Sequence, residues 1–381
     1  MLPFKTMKIL LIGEYSNVHW TLAEGLRALG HDVTVVSDGD RWKNYPRDID
    51  LRRRSLNTGA SIRYLLDIAR VWPRLRGYDV VQIINPVFLD LKGDRCWPLY
   101  KYLRRHNGHV FMGAFGMDYY WVKVCSDCKT FRYSDFNIGS ELRRNADNDQ
   151  WTADWLHGKK GELNQRIAAD CDGIITGLYE YDCCYRPFYP TKTRFIPFPI
   201  DLSSVSPAKL YPIDKRPGDE AAPPVRFFIG IQRGRSTYKG TDVMLRALLR
   251  LQADYGADRV LINKAESVPF SEYQQMISDS HVLLDQLYSY TPAMNALMAM
   301  AKGMIVVGGG EEEQYAILGE HELRPIVNVQ PNEQDVYDQI ARRLLEGNED
   351  IHQLQLDSIE YIRRHHDHVK VARQYVDFYT S

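Results

Sequence analysis

The chain has 381 residues, 44% hydrophobic and 25% charged, with a formal net charge of -1. This is ordinary globular composition and more than one core usually holds, so two domains of similar size are expected. The near-zero charge gives no handle for nucleic acid. No apolar run approaches the roughly 20 residues that span a bilayer, and Met1 to Lys8 is too short for a signal peptide, so a cytoplasmic protein is expected. The six cysteines fit reduced thiols.

In chain order, KILLIG (Lys8 to Gly13) reads as a buried strand closed by glycine. VHWTLAEGLRALGH then carries Trp20, Ala23, Leu26 and Leu29 near the helical period, and a strand resumes at Asp32 to Val36. This is a βαβ unit, whose right-handed crossover builds a parallel sheet with ligand sites at the carboxyl ends of its strands. Gly13, Glu14 and Asn17 lie at such an end. GEYSN is not a GxGxxG fingerprint, which argues against a nicotinamide or flavin cofactor.

Arg41 to Arg76 holds ten Arg or Lys against three Asp, interleaved with Trp42, Tyr45, Tyr64 and Trp72. Cations and interfacial aromatics together suit an anionic membrane surface, and a solvated charged face is the alternative. Strand, helix and strand follow at Asp79 to Asn85, Leu89 to His106 and His109 to Ala114. An aromatic-rich segment then runs to about Trp155 and reads as a long irregular loop, placed to bind an acceptor substrate. It contains Cys125 and Cys128 with no second CxxC, so reduced thiols are expected in place of a zinc site. A helix ending near Asp170, strand Gly173 to Thr176, a helix around Tyr179 to Tyr185 and a strand in RFIPFPID close a first domain of residues 1–201.

Five prolines between Leu202 and Pro224 mark a linker. A second alternation occupies residues 225–352. It comprises strand Val225 to Ile231, the loop QRGRSTYKG, a helix from Thr241, strand Arg259 to Asn263, helix Ser271 to Ser280 and strand Val282 to Leu284. Then comes YSYTPAMNALMAMAKGMIVVGGGEEE, Tyr288 to Glu313. Pro292 opens a helix that Gly303 ends, strand Met304 to Val307 follows, and a triple-glycine loop completes the stretch. Strand Ile326 to Val329 and helix Glu333 to Glu346 end the second sheet. A single helix from about Gln353 to Phe378 is expected to pack back toward the first domain. Its His365, His366 and His368 read as solvated and not as metal ligands.

Two features carry chemistry. A helix start opposite a glycine loop gathers backbone N–H groups that suit a diphosphate. Arg233, Arg235 and Lys239, on a loop at a strand's carboxyl end, would neutralise that diphosphate as it leaves. If a base is required, Asp118 is the candidate.

Taken together, these segments resemble the GT-B glycosyltransferases of the large group called family 4. The resemblance rests on GLRALGHDVTVVS, on ADCDGIITGLYEYD followed by FIPFPID, on GIQRGRSTYKGTDVMLRAL and on LMAMAKGMIVVGGGEE, in that order along nearly the whole chain. It implies two Rossmann-like α/β domains facing across a cleft. It also implies transfer of a sugar from a nucleotide diphosphate sugar to a glycan or lipid-linked acceptor, mostly with retention and with no required metal or cofactor. The setting implied is surface polysaccharide or glycolipid synthesis. Position by position it assigns Arg233 or Arg235, with Lys239, to the donor phosphates, and places the backbone of Ala293, Met294 and Asn295 near them. Val268 and Phe270 go to the nucleobase, Gly13 to the glycine turn of the first domain, and Gly116 to Asp118 to the acceptor loop.

The sequence departs from the family at definite places. The two paired glutamates fall on Tyr290 and Met298, Phe115 stands where a histidine is frequent, and Phe198 and Pro199 replace an asparagine and a glycine. Either another carboxylate takes over (Glu311, Glu312, Glu313 or Asp285), or the donor is held differently, or the chain is inactive. Competing readings are a non-catalytic nucleotide-sugar-binding subunit and a nucleotide-sugar epimerase of similar architecture.

Overall fold

The computed structural model describes residues 6–231, 236–266, 268 and 270–381, with only the backbone of Phe270, Ser271 and Gln274. Its strands begin with β1 (Lys8–Ile12), β2 (Asp32–Ser37), β3 (Ile49–Asp50), β4 (Val80–Ile83) and β5 (His109–Ala114). A small hairpin follows, β6 (Asn137–Ile138) and β7 (Glu141–Leu142), then β8 (Gly173–Thr176) and β9 (Thr193–Phe195). The rest are β10 (Val225–Ile231), β11 (Val260–Glu266), β12 (Val282–Leu284), β13 (Ile305–Gly308) and β14 (Val327–Asn328). Two compact units result. The first holds the chain up to Thr130, Arg144–Asp201 and His368–Ser381, and the second holds Phe131–Arg143 and Leu202–Asp367.

In the first unit a parallel sheet runs β3-β2-β1-β4-β5-β8-β9. β1 lies inside it, with Ile12 opposite Val36 on one side and Ile83 on the other. Four of its five residues are buried, so an unbroken apolar run reads correctly as a strand covered on both faces. The Val18–Ala28 helix covers one face and packs on the last helix, His368–Tyr379. Gly25 permits that approach, since a Cβ there would lie 2.3 Å from the His368 carbonyl oxygen. In the second unit the parallel order is β11-β10-β12-β13-β14, over a core that includes Phe227, Ile229, Val282, Ile305, Leu248 and Leu344. Both sheets reverse direction of winding beside their first strand, between β1 and β4 and between β10 and β12. Ligands of open α/β sheets bind at such points, outside the carboxyl ends.

Three expectations change. The irregular segment before Trp155 contains helices Tyr119–Cys125 and Ala146–Leu156, the latter capped by Asn145, with the β6–β7 hairpin between them. The expected single C-terminal helix is two, Ile351–His365 and His368–Tyr379, broken where the His366 backbone leaves the helical region. Its three histidines are not solvated as expected. His365 Nε2 lies 2.7 Å from Glu320 Oε2, His366 is buried, and His368 Nε2 lies 3.9 Å from Asp201. The sequence hides this because charged neighbours such as Arg363 and Arg364 mask a buried stripe of Tyr361, Ile362 and His366.

Candidate functional site

At the carboxyl end of β1, Gly13 has a positive φ of 86°, which favours glycine, and a Cβ would fall 2.3 Å from the Ile84 side chain. Its backbone is fully engaged. The N–H donates to Val36 O at 2.8 Å, and the carbonyl accepts from His19 Nδ1 at 2.9 Å. With Nδ1 so protonated, His19 Nε2 accepts from the Gln82 amide at 3.0 Å, and Gln82 Oε1 accepts from the Tyr379 hydroxyl at 2.6 Å. Burial drives the His19 imidazole down to about 3, which keeps it neutral. Glu14 accepts from the His19 and Trp20 N–H groups at 3.2 and 2.9 Å, closing the helix start, and burial pushes its carboxyl up to about 8. The turn is therefore a buried, internally satisfied structure.

Two of the first unit's departures from the family pattern touch each other. Phe115 and Phe198 are both buried, with ring centroids 5.2 Å apart in an edge-on pair, and Phe115 meets the His19 ring at 6.5 Å. Gly177 makes room, because a Cβ there would lie 2.2 Å from the Phe198 ring.

Asp118, the candidate base, is corrected by its surroundings. It is fully buried, caps the Tyr119–Cys125 helix by accepting from Trp121 N at 2.8 Å, and accepts from the Tyr185 hydroxyl at 2.6 Å. Burial raises it to about 7, but both oxygens are spent inside the unit, where an acceptor hydroxyl does not reach. Cys125 is also buried and lies against Cys184, while Cys128 is half-buried. Among the described residues no three His, Cys, Asp or Glu side chains are grouped to hold a metal ion.

The second unit's candidate site is organised by the turn from Asp285 to Ala293, at the carboxyl end of β12. Leu287 N donates to Lys239 O at 2.9 Å. Gly240, with φ 74°, lies so close to Leu287 and Tyr288 that a Cβ would meet them at 2.6 and 2.8 Å. From the other side, a Cβ on Gly309 would sit 2.2 Å from Ser289 O, and Glu311 N donates to Tyr290 O at 3.1 Å. The glycine run thus exists for close approach of two loops and not for positive φ. Gly310 N is also taken, by Asn328 Oδ1 at 3.0 Å. Two amides of the loop expected to face an anion are therefore used internally.

What stays available is the start of the Met294–Ala301 helix. Ala293 is its N-cap with no side-chain cap, so the N–H groups of Met294, Asn295 and Ala296 have no acceptor within the helix. Asn295 is exposed, and its side chain is held by Asp285 Oδ1 at 3.0 Å and Tyr273 at 3.2 Å. Met298 is half-buried, one face along. Lys239 ends the short Ser236–Lys239 helix, half-buried, and pairs with no carboxylate among the described residues. Val268 is half-buried beyond β11, and the Phe270–Ser278 helix starts just after it. Arg233 and Arg235 lie outside the described residues, as does the side chain of Phe270.

Residues 131–143, expected in an acceptor loop of the first domain, belong to the second unit and lie along this turn. Arg132 N donates to the Tyr290 hydroxyl at 2.8 Å, and Phe131, Arg132 and Tyr133 pack on the Tyr290 ring with centroid distances of 5.6, 4.8 and 4.9 Å. The Arg132 guanidinium reaches Glu311 Oε2 at 2.7 Å and Glu313 Oε1 at 2.5 Å. Tyr133 and Gln330 donate to Glu311 Oε1 at 2.5 and 2.8 Å. Burial would raise the Glu311 carboxyl, but hydrogen bonds from Tyr133, Asn328 and Gln330 and the Arg132 charge hold it below its ordinary value. On the opposite flank Arg143 stacks 3.3 Å above the Tyr288 ring and donates to Thr237 O at 2.8 Å, and Tyr238 donates to Asp135 at 2.6 Å.

This network leaves the neighbouring carboxylates in different surroundings. Glu311 is saturated, Glu312 is exposed and paired at 3.4 Å with Arg324, and Asp285 is tied to Asn295. Glu313, 30% exposed and bridged by Arg132, is the carboxylate left at the edge of the site. No motif points to Arg132, Tyr133 and Arg143. The one available signal is the acidic run Glu311 to Glu313, which has no basic neighbour in sequence and so calls for a distant partner.

No protein-family model matches the sequence, and no curated protein matches it. The fold is similar to that of Anabaena HepE, crystallised with UDP and glucose, at 10% identity over 99% of this chain and 100% of that one, with a TM-score of 0.58. It is similar to the catalytic domain of starch synthase IV from Arabidopsis thaliana, bound to ADP and acarbose, at 11% identity over 99% of each chain, TM-score 0.61. A third is the lipopolysaccharide outer core galactosyltransferase WaaB, at 14% identity over 98% of this chain and 99% of that one, TM-score 0.54. At these identities the likeness establishes the architecture, which is GT-B.

Proposed function

We propose that the chain is a glycosyltransferase that takes a sugar from a nucleoside diphosphate and gives it to a glycan or lipid-linked acceptor. The neighbours of the same architecture that carry UDP or ADP support a nucleotide diphosphate as the leaving group. The observation that carries the reading is the helix start at Ala293, which has no side-chain cap, on a turn that also meets the Lys239 backbone and the Glu311 N–H, at the winding reversal of a parallel sheet. The helix start and Lys239 stabilise the charge that grows on the departing diphosphate. With Asp118 buried, this reading gives the proton to the leaving group and not to a protein base. The leaving phosphate oxygen accepts the proton of the incoming hydroxyl on the same face, which gives retention. Val268 and Phe270 flank the base, and Arg233 and Arg235 add charge to the phosphates. The setting is a surface polysaccharide or glycolipid pathway, with the protein cytoplasmic and peripheral at an anionic membrane. Among the described residues no helix is long and apolar enough to cross a membrane.

Thermal shift with UDP, ADP and their glucose conjugates tests the donor. Binding is expected to raise the unfolding midpoint, and Lys239→Ala is expected to weaken it about tenfold, the scale of one charge-assisted contact. No response to any nucleotide overturns the reading. A second reading, a nucleotide-sugar-binding subunit without transfer, is favoured by the aromatic cover over Tyr290 and the saturation of Glu311. It is distinguished by nucleotide binding with neither donor hydrolysis nor transfer to any acceptor.

A further inference from the structure

The Thr58–Val71 helix of the first unit is apolar on two faces. Tyr64 and Ile68 point into the unit and are buried. On the opposite side Ile62, Leu65 and Leu66, spaced as successive turns of one stripe, are 55%, 42% and 62% exposed, and Leu56 just before the helix is 83% exposed. A surface helix needs only one apolar face to fold, so the outer stripe serves something else.

Beside it is a cavity of about 370 Å³ lined by Arg52, Arg54, Arg63, Tyr64 and Asp67, among others. Its charges are unequal. Arg52 is shared with Asp50 at 3.3 Å, and Asp67 faces Arg70 at 3.8 Å. Arg54 and Arg63 have no carboxylate within 4.0 Å among the described residues. Guanidinium groups are permanently charged and match phosphate oxygens in pairs.

We propose that this face docks on an anionic membrane, with the arginine cavity holding the phosphate of a lipid headgroup while Ile62, Leu65 and Leu66 enter the interface. The two features select this occupant together. A neutral protein helix would cover the stripe and leave Arg54 and Arg63 uncompensated, and a free anion would fill the cavity and leave the stripe in water. A bilayer of anionic lipid satisfies both, since cations are drawn to its surface and an apolar helix face sinks to the acyl boundary. The proposal rests on the membrane-facing part of the proposed function and not on its donor chemistry.

Co-sedimentation of the full chain with vesicles tests it. One set is phosphatidylcholine alone, and the other has a third of its lipid replaced by phosphatidylglycerol. Binding is expected to the second set only and to fall with added salt. Arg54→Glu with Arg63→Glu is expected to lower the partition coefficient at least about tenfold, because each basic residue near such a surface contributes measurably. Leu66→Gln, a neutral change on the apolar stripe, is expected to do the same without changing the salt slope. These side chains are exposed, so the variants should keep the wild-type unfolding midpoint and the same midpoint shift with UDP. Absence of binding to anionic vesicles at low salt overturns the proposal. So does wild-type binding by both variants, or sedimentation analysis showing the stripe buried between two copies. None of these outcomes bears on nucleotide binding, which is read separately.

Discussion

In the first unit, Phe115 and Phe198 stand where the family resemblance leads one to expect a histidine and an asparagine, and they pack edge-on against each other. In the second, Tyr290 stands where a glutamate is expected, and its hydroxyl, ring and neighbouring carboxylates are wired to Arg132 and Tyr133. Both are aromatic replacements at the carboxyl end of a parallel sheet. The first pair removes polarity and charge from its sheet end, so it can only add packing. The second redistributes charge, leaving Glu311 satisfied and Glu313 and Arg132 at the rim. The apolar pair offers no group that can carry charge or a proton, whereas the networked ring leaves such groups at the rim.

The contrast can be broken at either end. Phe198→Ala should have the largest effect, a loss of about 3–5 kcal/mol for truncating a buried aromatic, read as a lower denaturant midpoint with nucleotide affinity unchanged. A rise in pH acts next, through the buried carboxyls of the first unit. The Glu14 carboxyl is raised from its ordinary 4.5 to about 8, so the folded protein binds more protons than the unfolded chain across that interval. Stability should therefore fall as pH rises from 4.5, by on the order of 3 kcal/mol at pH 7, and Glu14→Gln should flatten the profile. Asp118, raised to about 7, adds to the same slope.

In the second unit Arg132→Ala should cost about 2 kcal/mol. Its guanidinium is half in water, but the Glu311 carboxylate it leaves behind is buried. Arg132→Ala should also alter nucleotide-sugar affinity, which Phe198→Ala should not. Tyr290→Phe should be smallest, about 1 kcal/mol for one hydrogen bond. A nucleotide-sugar affinity equal in all these variants would remove the claim that the two sheet ends differ in function.

Most strands of the two parallel sheets were legible because they are short apolar runs bounded by glycine or charge, whereas β3 and the β6–β7 hairpin, two residues to a strand, carry no such run. KILLI, VVQI, GIIT and IVVG needed no knowledge of their partners. The helix start at Ala293 was legible too, through Pro292 and the Ala/Met run. The membership of residues 131–143 was not. They make their contacts with groups more than a hundred positions away, such as Tyr290 and Glu311, and pattern along the chain carries no such information. The burial of Asp118 was hidden for a related reason. An aspartate before aromatics looks open until Tyr185 and the helix it caps are placed around it. His366 looked solvated because charge on one helix face conceals the face beneath.

The hairpin also decides how this protein can be cut. The polypeptide changes unit after Thr130, Arg143, Asp201 and Asp367. The contiguous fragment 202–367 therefore lacks a strip of its own unit. Expressed alone, it would present the Tyr290 ring bare and Glu311 without Tyr133 or Arg132, and should aggregate or bind nucleotide poorly. Joining residues 131–143 to that fragment through a flexible linker should restore it, whereas an insertion after the exposed Ser140, past the hydrogen-bonded Gly139 of the hairpin's turn, should be tolerated.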